Sequence, residues 1–228
     1  MRIAIVSDIH GNRTAFEAVL ADLRETAPDL ILHGGDLALG GAAPAEIVDQ
    51  IRDLGWRGVL GNVDEMLPKP ETFAEFAAAR PQLEAYWKQV AETAAATREV
   101  LGARRMAWLG SLPQGVRQEK FALVHASSET TWTSPEPDAI DAEFEAVYGS
   151  LGAPMVAYCH IHKPFVRRVG GMTIANSGSV SLSFDGDWRA AYLLIDNDRP
   201  SIRRVEYDVE RERQAIAESG IPHAACVR

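Results

Sequence analysis

The amino-acid sequence predicts an α/β domain that opens with a βαβαβ unit. Three observations predict it. Short β-branched apolar runs end abruptly in polar, glycine-containing turns. Segments with apolar residues at helical spacing separate the first three of these runs, the pattern of a parallel sheet with crossover helices. From Leu112 onward the chain turns strand-rich, with one further helical stretch near Ile140 to Tyr148.

Arg2 to Val6 is an apolar β-branched run, the composition of a buried strand, and it stops at Ser7, Asp8 and His10. Asn12 is a suitable N-cap for a helix to Glu25, whose apolar residues Phe16, Val19, Leu20 and Leu23 share one face. Leu30 to Leu32 forms a second strand, ended by His33-Gly34-Gly35-Asp36. Pro44 to Leu54 reads as a helix with proline in its first turn. Val59 and Leu60 close a third strand before Gly61-Asn62-Val63-Asp64. The Ala- and Glu-rich stretch from Glu71 to Val100 contains two helical segments broken at Pro81 and reads as a helical insert or cap, spanning about 66–103 of a single domain over 1–228. Later strands are expected at Phe121–Val124, Met155–Tyr158, Phe165–Val169, Met172–Ala175, Ala190–Ile195 and Ser201–Tyr207, with a hairpin at Gly170-Gly171 and a turn at Asp198-Arg199-Pro200. Val209 to Glu218 is a last helix, and His223 to Arg228 a frayed tail.

The 228 residues, 46% of them hydrophobic, are enough to bury a sizeable core without staples. A net charge of -9 argues against stable nucleic-acid binding, which needs clustered Lys and Arg. No stretch is apolar for long enough to span a membrane. Two distant cysteines, Cys159 and Cys226, make a disulfide framework unexpected, so a cytoplasmic setting is the expectation. Edge strands or the helical insert would be the contact surface of any homo-oligomer.

Asp8, His10, Asp36, Asn62, His125, His160 and His162 all follow predicted strands. The C-terminal ends of parallel strands lie along one sheet edge, where open α/β folds bind ligands, so these residues are expected to converge. His160 and His162 are separated by one residue, which in an extended segment turns both rings to one side. Carboxylate, imidazole and amide oxygen together suit Mn²⁺, Fe²⁺, Zn²⁺ or Ni²⁺. Seven donors exceed the needs of one ion, and a bridging carboxylate would let them serve two. Each residue alone has a plainer reading: an aspartate after a strand often caps a helix, Gly-Asn is a common turn, and a lone histidine is more often a satisfied core residue. The conjunction of all seven, in order, at strand ends is what favours a metal centre. His33 is expected to pack beside the site, and Trp87 and Trp132 to serve the core or an interface rather than to stack on a base.

Asp8-Ile9-His10, Gly35-Asp36, Gly61-Asn62-Val63-Asp64, His125 and His160-Ile161-His162 together resemble the motif series of the calcineurin-like metallophosphoesterase superfamily. Ser7-Asp8-Ile9-His10-Gly11-Asn12 and Asn176-Ser177-Gly178-Ser179-Val180 are similar to its small bacterial and archaeal phosphodiesterase branch. The resemblance implies a four-layer αββα sandwich of two mixed sheets. It also implies two divalent ions, Mn²⁺ first among the candidates and Fe, Zn or Ni after it. Asp8, His10, Asp36 and His162 would hold one and Asp36, Asn62, His125 and His160 the other, with a hydroxide between them attacking phosphorus in line. Asn12, Arg13 and the amides near Gly61 are candidate substrate contacts, and Asp36, Asn62 and His125 the catalytic core.

Two positions depart from the family pattern. Many members carry a histidine where this chain has Val63, which neither donates nor accepts a proton, so good leaving groups and diesters are the expected substrates. Cys159 stands where glycine usually precedes the histidine pair, and an oxidation-sensitive thiol there is one reading. The implied function is hydrolysis of a small phosphate ester, with a phosphodiester as the expected substrate. Alternatives are a phosphomonoesterase, a nucleotide or protein phosphatase, and a non-catalytic binding scaffold like the retromer subunit of the same fold.

Overall fold

The structure, a computed structural model, describes residues 1–118 and 120–224. Cys226 and the end of the expected tail lie outside the described residues. In chain order the elements are β1 (Arg2–Val6), α1 (Arg13–Thr26), β2 (Leu30–His33), α2 (Pro44–Asp53), β3 (Arg57–Gly58), α3 (Asn62–Met66), α4 (Pro70–Ala78), α5 (Glu84–Leu109), β4 (Gly115–Arg117) and β5 (Phe121–Val124). Then follow α6 (Asp141–Tyr148), β6 (Met155–Tyr158), β7 (Phe165–Val169), β8 (Met172–Asn176), β9 (Ala190–Asp196), β10 (Arg199–Val205) and α7 (Val209–Glu218).

The strands form two five-stranded mixed sheets, ordered β10-β9-β1-β2-β3 and β4-β5-β6-β8-β7. In the first, β1, β2 and β3 run parallel while β9 and β10 are antiparallel additions. In the second, β5, β6 and β8 run parallel and β4 and β7 are antiparallel edges. The alternation of side chains along each strand explains the layering. Ile3 and Ile5 of β1 join Leu123, Ala157, Ala175 and Leu193 in a core between the sheets. Ala4 and Val6, pointing the other way, pack with Phe16, Val19, Ile47 and Ile51 of α1 and α2. On the far side of the second sheet, Val124, Val156 and Tyr158 pack under Phe144 and Tyr148 of α6. The result is the expected αββα order of layers.

Four local expectations are corrected. The third strand is Arg57–Gly58, two residues before Val59–Leu60: Val59 still donates its N–H to His33, but Leu60 donates to Pro113 and leaves the sheet. The turn expected at Asp198-Arg199-Pro200 lies at Asn197 and Asp198, both with positive φ, and Pro200 sits inside β10. That is tolerated because β10 is an edge strand, where a missing N–H costs no ladder bond. The tail does not fray at His223, which reaches Glu92 Oε2 at 2.9 Å, next to Thr93 Oγ1 donating to the Pro222 carbonyl. The helical insert runs further than Val100, as α5 continues to Leu109 past a break at Gly102.

Candidate metal centre

The loops after β1, β2, β3, β5 and β6 meet at one end of the sandwich. The first two zip together through Asp8 N–H to Gly35 O, His10 N–H to Asp36 O and Gly11 N–H to Leu37 O, each 2.9–3.0 Å. Asp8, His10, Asp36, His160 and His162 all have positive φ, between 48° and 70°. Left-handed backbone costs an L-residue roughly 1–2 kcal/mol each, so the surrounding sheets hold five side chains against local preference to aim them at a common point. The approach is close enough that a Cβ on Gly61 would lie 2.1 Å from Asp36 Oδ1.

Two overlapping groups of donors result: Asp8, His10, Asp36 and His162, and Asp36, His125 and His160, with the donor atoms of each group within 4.8 Å of one another. Asn62 joins the second group, its Oδ1 lying 3.0 Å from His125 Nε2 and 2.9 Å from His160 Nδ1. All seven residues singled out in the sequence are therefore brought together. Asp36 stands between the groups, with His125 Nε2 3.4 Å from Oδ1 and His10 Nε2 3.7 Å from Oδ2.

The hydrogen bonds decide what this cluster suits. His10, His125 and His162 each place Nδ1 2.7–2.8 Å from a carbonyl oxygen, of Leu39, Gly34 and Leu182. A carbonyl only accepts, so Nδ1 carries the hydrogen, and each ring in its neutral form presents a bare Nε2 to the interior. His10 Nε2 and His162 Nε2 then face each other at 3.3 Å, and His162 Nε2 is 3.0 Å from Asp8 Oδ1. Asp8 is fully buried, and neither of its carboxylate oxygens has a hydrogen-bond partner. Acceptors crowded against acceptors in a buried space are unfavourable unless a cation lies among them. The residues present fit a divalent metal.

The electrostatics show how strongly the carboxylates and imidazoles are linked. Burial works against ionising Asp8, but the imidazoles of His162 and His125 outweigh it and hold the carboxyl below its usual range. Burial likewise opposes charge on Asp36, and His125 and His10 overcome it. Burial would keep His125 neutral, yet the Asp36 carboxylate holds it up at about 9, so a cation binding here displaces the proton on Nε2. His10 and His160 go the other way, burial keeping both rings neutral, His160 down to about 4.

The remaining sequence candidates are placed as follows. Asn12 Oδ1 caps α1 through Ala15 N–H at 2.9 Å, and its Nδ2 donates to Ser181 Oγ at 3.3 Å beside the site. Arg13 is not brought into the cluster; it lies on the surface near Glu17 and Glu46. The Gly61 N–H is aimed at Asp64 Oδ2, 3.4 Å away. His33 is buried beside Trp108 with neither ring nitrogen hydrogen-bonded. Cys159 is buried near Ser177, and burial with the nearby Asp8 charge pushes its thiol far above the ordinary range, an inert rather than a redox-sensitive setting. Asp64, the last residue of the Gly61-Asn62-Val63-Asp64 motif, acts outside the donor set: its carboxylate accepts the N–H groups of Asp36 (2.8 Å) and Leu37 (3.0 Å) and so shapes the loop that carries Asp36. Ser179, equally unassigned, donates to Asp8 O at 2.8 Å.

Comparison with known proteins agrees with this site. The uncharacterized protein MJ0912 of Methanocaldococcus jannaschii is 30% identical over 243 residues, covering 96% of this chain and 93% of that protein. The crystal structure of a metallophosphoesterase from Sphaerobacter thermophilus superposes with a TM-score of 0.78 at 26% identity, covering 100% and 98% of the two chains. A Pyrococcus horikoshii protein, PH1004, shares the fold with a TM-score of 0.83 at 18% identity, over 99% and 96%. The sequence model of the calcineurin-like phosphoesterase superfamily domain matches residues 1–199, which contain every donor of the cluster, and the chain belongs to that superfamily.

Proposed function

We propose that the protein is a phosphodiesterase whose two donor groups hold two divalent cations, with Mn²⁺ as the working metal and Fe²⁺, Zn²⁺ or Ni²⁺ as substitutes. The observation that carries the reading is the buried, unpartnered Asp8 carboxylate facing imidazole nitrogens of fixed tautomer. Asp8, His10, Asp36 and His162 would hold one ion, and Asp36, Asn62, His125 and His160 the other. Bound cations of this kind act as Lewis acids toward phosphoryl oxygens and lower the pKa of bound water. The chain's own residues orient and position. The Leu39, Gly34 and Leu182 carbonyls fix three imidazoles, and Asp64 fixes the Asp36 loop. Asn12 Nδ2, at the edge of the site, is positioned to donate to a phosphate oxygen.

The preference for diesters rests on Val63. It is buried, its N–H donates to Asp36 Oδ1 at 3.0 Å, and its side chain supplies no proton to a leaving oxygen. General acid help is typically worth about 10²–10⁴-fold, so unactivated alkyl monoesters are expected to be poor substrates. We read the helices between Pro70 and Leu109 as an insert roofing the site within one domain. No helix among the described residues is long and apolar enough to cross a membrane.

The test is hydrolysis of bis(p-nitrophenyl) phosphate and p-nitrophenyl phosphate by metal-stripped protein, with Mn²⁺, Ni²⁺, Zn²⁺ and Mg²⁺ restored in turn. Metal-dependent turnover of the diester, lost in Asp36→Ala and His125→Ala, is the expected result. A clear preference for the monoester would sink the diester reading. Stoichiometric metal binding without turnover of either substrate would move the protein to the scaffold class.

A further inference from the structure

Two cavities open onto the donor cluster, and both are lined in part by His10, Leu182 and Phe184. Phe184 stacks on His162, ring centroids 4.8 Å apart and planes 20° from parallel, and divides the cavities. The larger, about 520 Å³, runs past Asn12, Ser181 and Ser183 to Trp188 and Arg213. The smaller, about 210 Å³, is different in character. Its walls are Phe73 and Phe76 of α4, Tyr86 and Trp87 of α5, and Trp132 from the loop after β5. Its floor is the metal-site edge formed by Asp36, Asn62, His160 and His162. Among the described residues, no lysine or arginine lines it.

The rings pack against one another as one aromatic cluster, continuous with the core, and the cavity lies between that cluster and the donor edge. Phe76 lies 4.7 Å from Trp132 and 5.7 Å from Trp87, and Phe73 lies 6.0 Å from Trp87, all by ring centroid. Both indoles have spent their N–H groups on the protein: Trp87 Nε1 donates to Arg80 O and Trp132 Nε1 to Glu65 Oε2, each at 3.1 Å. Those bonds fix the indoles, which pack on Phe73 and Phe76 and line the cavity with apolar surface. The guanidinium of Arg80 stacks on Phe76, 3.7 Å from the ring centroid, but does not line the cavity, so the chamber itself offers no cation for a second phosphate and no free indole donor for the edge of a nucleobase. An apolar cavity of about 150 Å³ already holds benzene, so about 210 Å³ next to the metal-site edge admits one ring and little more.

We propose that this chamber selects the substrate: it receives a single planar aromatic ester group, with the phosphorus held at the donor cluster and the rest of the molecule in the larger groove. The inference rests on the phosphoesterase reading above and names its substrate class as aryl phosphoesters, as against nucleoside polyphosphates. It also gives the helical insert a task, since four of the five rings come from α4 and α5. Trp87 and Trp132, expected to serve packing, become walls of the substrate chamber.

The test uses non-hydrolysable probes. The Mn²⁺-loaded protein is titrated with phenylphosphonate and with methylphosphonate, read by calorimetry and by quenching of tryptophan emission. Transfer of a phenyl rather than a methyl group into an apolar site should tighten binding by about tenfold or more, with quenching by the phenyl compound alone. Phe76→Ala should cut most of that preference while leaving methylphosphonate affinity unchanged, and Phe76→Leu, which keeps an apolar side chain against the indoles, should cut it less and guards against a folding defect. Equal affinity for the two phosphonates, or binding of neither, overturns the inference. Diester turnover combined with equal affinities would sink the inference and spare the hydrolase reading. A retained phenyl preference without turnover of any ester would do the reverse.

Discussion

At the scale of single residues, the site depends on groups that touch no substrate. Asp64 is fully buried and accepts from three backbone N–H groups, those of Asp36, Leu37 and Gly61. Burial and the adjacent Asp36 charge push its carboxyl up to about 7, against donors that favour the ionised form. Asn at this position replaces one accepting oxygen by an NH₂ that meets a backbone N–H head-on. Leaving a buried donor unsatisfied costs about 1–3 kcal/mol, and loss of a residue that orients a metal ligand typically weakens metal binding about 10–100-fold. Asp64→Asn is therefore expected to lower both the urea midpoint and Mn²⁺ affinity by calorimetry. A folded variant with unchanged Mn²⁺ affinity would reduce Asp64 to a cap of α3. The convergence of the seven residues was legible in the sequence, because strand ends and residue chemistry coincide there. The role of Asp64 was not, because two of its partners lie 27 and 28 residues away. Nor was the left-handed backbone at five donor positions, which opposes the local preference that sequence reading relies on.

Among the elements, those with a strong period were legible and those shaped by neighbours were not. The α1 and α2 stripes and the buried β1, β5 and β6 runs stand where their apolar spacing puts them. β3 and β10 shift because Leu60 finds its partner in Pro113 and because an edge position excuses Pro200, both tertiary facts. The insert hides a further feature. α5 has one residue, Gly102, at φ 65° and ψ 170°, a conformation essentially restricted to glycine. Before this break, Arg98 Nε donates to Leu67 O at 2.8 Å and Tyr86 and Trp87 face the chamber. After it, Arg105 grips Asp49 of α2 at 2.6 and 3.0 Å. The break lets the first segment follow the chamber and the core while the second turns to pair with α2. A Cβ on Gly102 would meet nothing within 4 Å, so the cost of Gly102→Ala is backbone strain alone, about 1–3 kcal/mol. At about 2–4 °C per kcal/mol for a chain of this size, the variant should melt several degrees lower. An unchanged melting temperature would mean that α5 straightens freely and that the break has no structural function.

The whole molecule places its donors on both sides of the inter-sheet core. Asp8, His10 and Asp36 follow strands of the first sheet, while His125, His160 and His162 follow strands of the second. Each donor group draws on both: Asp8, His10 and Asp36 with His162 in one, Asp36 with His125 and His160 in the other. An ion bound in either group therefore ties the two sheets at one end, and it does so only when both are folded. Binding to the native state alone adds about 2.7 kcal/mol of stability at a free metal concentration of a hundred times Kd. With the size scaling already used, that is a rise of about 5–11 °C. Melting of metal-stripped protein should thus shift upward with Mn²⁺ and return with a chelator. Asp36→Ala, which removes the donor common to both groups, should abolish the shift. His125→Ala, which damages one group, should retain part of it. A full Mn²⁺ shift in Asp36→Ala would put the stabilising ion elsewhere on the surface and would separate metal binding from the joining of the two sheets.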